Sequence, residues 1–118
     1  MSQTQPRLGA MQVGIIVLAM IAAIIHLYLA IFQMHNDLLF ILNGLGYLGL
    51  VGLLYLPLPL IVSYHGVVRW AFIVFTAVTV MAWLLIGSRD LLAYVTKVVE
   101  VSLIALLYIE GQQARQEL

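Results

Sequence analysis

Long apolar runs alternate with short polar breaks along this chain, and four of the runs are long enough to cross a bilayer as helices. The pattern predicts helices over residues 7–33, 38–56, 67–86 and 91–110. Pro6 is placed to open the first, because a first turn does not need its missing N–H. Asn36 or Asp37 can cap the second, and Pro57 and Pro59 end it. Gly87 follows the third, with Ser88 or Asp90 available to cap the fourth, and residues 111–118 read as a solvated tail. The predicted fold class is all-α: an integral membrane, antiparallel four-helix bundle in which residues 1–118 form a single transmembrane domain. Short turns join the helices at one end, and a longer proline-rich link, residues 57–66, joins them at the other.

Within the runs, polar and small residues keep to one side. Gln12, Ala19, His26 and Gln33 recur at seven-residue intervals, with Ala23 and Ala30 on nearly the same face, so this stripe should meet the other helices. In the second run Asn43, Gly46, Gly49 and Gly52 follow a three-residue ridge, expected to form a groove for a neighbouring backbone. Gly44, Gly46 and Gly49 also match G-x-G-x-x-G, but they lie inside an apolar span rather than in a loop between strand and helix, so packing is the reading. In the third run Thr76, Thr79 and Trp83 overlap in angle, Arg69 is expected to reach headgroups, and Tyr64 and Trp70 suit an interfacial belt. The fourth run places Ala93, Thr96, Lys97, Glu100, Ile104 and Leu107 on one side.

Depth sharpens this picture. At about 1.5 Å per residue, His26, Asn43, Thr79 and Lys97 each lie about 9 to 11 Å from the helix ends at the short turns, and Glu100 about 14 Å. All four helices thus contribute to one polar cluster in that half of the bundle. Glu100, Lys97, His26, Asn43 and Thr79 are the candidate ligand- or proton-binding residues. The other half is expected to be aliphatic and glycine-packed.

Composition then narrows the class. The chain is 64% hydrophobic and 8% charged, against about 45 to 50% apolar in soluble domains. Five basic and five acidic residues cancel, which leaves no electrostatic basis for binding nucleic acid. The lack of cysteine removes disulfides, thiolate nucleophiles and Cys-ligated metal. The first run is too long for the apolar region of a cleavable signal and reads as a retained helix. Arg7, Arg69 and Arg115 fall on one side of the bilayer and Arg89 on the other, so both termini are expected in the cytoplasm.

The chemistry is sparse. A carboxylate at mid-span costs about 2.5 to 3.5 kcal/mol on insertion scales, so Glu100 should face inward to a partner, and Lys97 lies three positions before it. That pair reads either as a register-fixing ion pair or as a site for a polar ligand or a proton. His26 reads first as a hydrogen-bonded core histidine; of the other histidines only His35 falls near enough to complete a bis-histidine haem site. No His or carboxylate pair has the i, i+4 spacing of helical zinc enzymes, so no metal, cofactor or catalytic residue is assigned. The favoured expectation is a non-enzymatic binding module or accessory subunit in the lipid bilayer, within a homo-oligomer or a larger membrane complex. The alternatives are a small oligomeric transporter or channel for protons or a small polar solute, using Glu100 and Lys97, and a membrane enzyme or haem protein using His26.

Overall fold

The structure, a computed structural model, describes residues 9–32, 37–56, 63–87 and 89–116. Four helices account for nearly all of them: α1 (Ala10–Phe32), α2 (Leu38–Tyr55), α3 (His65–Ile86) and α4 (Leu91–Gln116). Each is long and apolar enough to cross a membrane. They pack side by side into a body of 49 × 23 × 22 Å, so the long dimension is that of the helices. Each helix packs on its neighbour in sequence, and α4 closes the ring against α1. One end of the bundle carries the α1–α2 and α3–α4 connections and is called here the turn end. The opposite, terminal end carries Gly9, the α2–α3 connection and the end of α4.

Local chemistry sets several of these boundaries. Asp37 caps α2, its Oδ1 accepting from Phe40 N–H at 3.2 Å, and Asp90 caps α4 in the same way, accepting from Ala93 N–H at 2.9 Å. Gly87 ends α3, with its N–H bonded to Trp83 O at 2.8 Å. The expected role of Pro57 and Pro59, and most of the proline-rich link, lie outside the described residues. Three boundaries differ from expectation by two residues or more. α1 starts at Ala10 rather than at residue 7, with Gly9 outside the helix, α3 starts at His65, two residues earlier, and α4 runs on to Gln116, six residues beyond Glu110. Residues 111–116 are therefore helix rather than solvated tail, because Glu110 and Gly111 are buried against the bundle and carry the helix onward.

The alanine stripe of α1 faces inward as expected: Ala19, Ala23, His26 and Ala30 are buried, together with Ile15 and Ala22, while Gln33 lies outside the described residues. On α2 the ridge fails. The buried face is Gly44, Tyr47, Val51 and Leu54, and Gly49 is exposed with nothing within 4 Å of where its Cβ would be. A three-residue ridge drifts around a helix of 3.6 residues per turn, so four members cannot all remain on one seam. The close approaches are instead at Gly44, where a Cβ would lie 2.7 Å from Leu27 Cγ and 3.1 Å from the Ala23 carbonyl oxygen, and at Gly46, where it would lie 2.5 Å from Phe75 Cζ. One glycine lets α1 close on α2 and the other lets α3 do so.

Candidate functional site

The site at the turn end is built around Glu100, whose residue exposure is 0%. Its neighbours come from several helices. Lys97, one turn earlier on α4, places Nζ 2.5 Å from Oε1. Tyr47 of α2 donates its hydroxyl to Oε2 at 2.7 Å. His26 of α1 brings Nε2 to 3.6 Å from the same oxygen, while its Nδ1 lies 2.8 Å from the Ala22 carbonyl, which can only accept. The imidazole packs against the rings of Phe40 and Tyr47, with centroids at 5.5 and 5.6 Å, so packing as well as hydrogen bonding fixes its orientation.

A neutral branch extends this cluster toward α3. The Tyr47 hydroxyl stands beside those of Thr76 and Thr79. Asn43 donates from Nδ2 to Thr79 Oγ1 at 3.1 Å, and Thr79 in turn donates to Phe75 O at 3.0 Å. Thr76 bonds back to Phe72 O at 2.9 Å, as threonine in apolar helices commonly does. The structure thus brings together Glu100, Lys97 and His26 directly, and reaches Asn43 and Thr79 through Tyr47. At the edge of the cluster Lys97 lies 5.9 Å from the centroid of the Trp83 ring, which Arg89 also covers at 4.3 Å.

Tyr47 is the connecting residue that sequence reasoning missed. Its signal was available: a tyrosine near the middle of an apolar helix, away from any interfacial belt, needs a buried partner for its hydroxyl.

The terminal half holds a second polar cluster, which overturns the expectation of an aliphatic, glycine-packed interior there. Glu110 of α4 is buried and accepts from three helices: Gln12 Nε2 of α1 at 2.9 Å, the Tyr55 hydroxyl of α2 at 2.7 Å and Arg69 Nε of α3 at 3.0 Å. Arg69 is correspondingly buried rather than extended to headgroups. Its guanidinium finds a carboxylate one helix away, a stronger and better oriented partner than water at the rim. Sequence reasoning ended the fourth helix at Glu110 and so treated that residue as a boundary; only the continuation of α4 makes it an interior group.

The two clusters share a plan. In each, a carboxylate of α4 receives a tyrosine hydroxyl from α2, faces a polar side chain of α1 and pairs with a cation. Between them lies a layer of Ile15, Ala19, Val51, Phe72, Leu103 and Leu107, all buried. Glu100 and Glu110 are ten residues apart on α4, or about 15 Å along its axis. Among the described residues no three His, Asp or Glu side chains converge in a metal-binding arrangement. Comparison with family models, curated proteins and solved structures finds no match to this chain.

Proposed function

We propose that the chain is a non-enzymatic subunit of the lipid bilayer: a preassembled four-helix module that packs against other membrane proteins and processes no substrate itself. The observation that carries this reading is that both buried carboxylates are engaged from within the chain. Glu110 is held by Arg69, Tyr55 and Gln12, and Glu100 by Lys97 and Tyr47 with His26 alongside. A ligand site keeps hydrogen-bond donors for its ligand, whereas the donors here are spent on the two carboxylates. The layer between the clusters also argues against a transport pathway, because its buried side chains, Ile15, Ala19, Val51, Phe72, Leu103 and Leu107, carry no polar group to relay a proton or polar solute.

The outward surfaces fit such a subunit. Val74, Val78, Met81 and Leu85 on α3, and Leu42, Leu45 and Leu53 on α2, are exposed aliphatic positions that require lipid or another helix. Purification of the full chain from its native membrane in mild detergent tests the reading. Other membrane proteins in fixed stoichiometry are expected. A pure homo-oligomer that conducts protons or solute after reconstitution supports the transporter instead, and a visible absorbance band in the purified protein supports haem at His26.

A further inference from the structure

The two carboxylates differ in one respect, and it concerns the contribution of α1. At Glu110, α1 supplies the amide N–H of Gln12, a donor at 2.9 Å. At Glu100 it supplies His26, whose Nδ1–H is already committed to the Ala22 carbonyl at 2.8 Å. In the neutral ring Nε2 then carries only a lone pair, and it lies 3.6 Å from a carboxylate oxygen. Two acceptors face each other in a place where His26 is 4% exposed and Glu100 0%. Two buried acceptors with no hydrogen between them repel, and the smallest species that turns the contact into an attraction is a proton.

We propose that the space between His26 Nε2 and Glu100 Oε2 is a binding site for a single exchangeable proton. The proton comes from water and bonds to Nε2 or Oε2, and the two atoms close from 3.6 Å to about 2.8 Å so that the other accepts its hydrogen bond; the cluster gains one positive charge and no heavy-atom bond changes. The groups facing the site are Lys97 from α4, with Nζ on the opposite carboxylate oxygen, and Tyr47 from α2, whose hydroxyl donates to Oε2. The rings of Phe40 and Tyr47 pack against the imidazole. Lys97 is the competing cation: the proton and the ammonium draw on the same carboxylate charge. Proton binding therefore loosens the Lys97 contact, and the side chain of Lys97, 12% exposed against 0% for that of Glu100, is the member of the pair with room to move. This goes beyond the subunit role proposed above and does not depend on it, since a subunit with or without partners can hold the proton.

The test is nitrogen NMR of the full chain, labelled with 15N-histidine and reconstituted in phosphatidylcholine vesicles, with His26→Gln used to assign the signals of His26. Between about pH 4 and pH 9, a window around the ordinary histidine range, Nδ1 is expected to stay protonated while Nε2 converts between bare and protonated forms. Glu100→Gln and Lys97→Met should each displace the half-conversion point by about tenfold or more in proton concentration, because each changes the charge facing the ring. Lys97→Met retains both proposed proton-holding atoms, so the comparison survives if Glu100→Gln fails to fold. A His26 Nε2 that keeps one form across the range overturns the proposal, as does a conversion that Lys97→Met leaves in place.

Discussion

The hydroxyl of Tyr47 meets the carboxylate of Glu100 at 2.7 Å, although α2 and α4 are not neighbours in sequence and lie across the bundle from each other. Tyr55 makes the same reach to Glu110, also at 2.7 Å. Two parallel rungs between the same two helices fix both their rotation and their axial register, because sliding either helix by one turn breaks both contacts. Non-directional aliphatic packing would tolerate such a slip more readily, so the tyrosines act as positioning residues for the carboxylates.

Removing a rung should therefore loosen the bundle without changing its helices. Tyr47→Phe keeps the ring that packs on Phe72 and Phe75 and deletes the donor to Oε2. The expected loss is about 0.6 to 2 kcal/mol, the range found for interhelical hydrogen bonds in lipid. Reversible unfolding in mixed micelles reads it, with circular dichroism verifying that helix content holds. Stability equal to the parent would show that the rung carries no net energy.

Breaking the Lys97–Glu100 pair on one side should cost more than removing it whole. Glu100→Gln leaves the Lys97 ammonium without its carboxylate and should destabilise by about 3 kcal/mol. The double change Lys97→Met with Glu100→Met removes both charges and should recover much of that loss. The same unfolding assay applies. A double variant no better than Glu100→Gln would mean that Glu100 is retained for Tyr47 and His26 rather than for Lys97.

What the sequence made legible follows the kind of force involved. The helices, the inward stripe of α1 and the meeting of His26, Lys97 and Glu100 all follow from periodicity and from the cost of an unpaired charge in an apolar span. The groove of α2 was misplaced because glycine records only that a side chain is missing, not which neighbour needs the space. Gly44 and Gly46 meet Leu27 and Phe75, whereas Gly49 meets nothing. The Arg69–Glu110 cluster was hidden for a different reason. Each residue lay near a predicted helix end, where charges normally meet water, and their convergence depends on α4 continuing to Gln116.

The glycine assignment can be tested directly. Gly44→Ala puts a methyl against Leu27 and the Ala23 carbonyl, and the backbone oxygen cannot yield without moving α1. Gly49→Ala fills open space and should stabilise by about 0.5 to 1 kcal/mol through the lower backbone entropy of alanine. Opposite signs are expected from the same chemical change on the same helix. If both variants behave alike, the α1–α2 approach is not set by Gly44.

The Glu110 cluster makes a prediction about additivity. Glu110 accepts from Gln12, Tyr55 and Arg69, so Glu110→Ala deprives three donors of their acceptor at once. Gln12→Ala and Tyr55→Phe each remove one donor and leave the carboxylate with two, and each should cost about 1 kcal/mol. Glu110→Ala should cost more than these two together, about 3 kcal/mol or above, because a guanidinium with a side chain only 10% exposed is stranded with them. Arg69→Met combined with Glu110→Met should then be milder than Glu110→Ala alone, since the stranded charge is gone and Met matches the stems in length. The four variants can be compared by unfolding in one detergent. A Glu110→Ala variant within about 1 kcal/mol of the parent would mean that the three donors find other acceptors or water, and that the terminal-end cluster does not hold the bundle together.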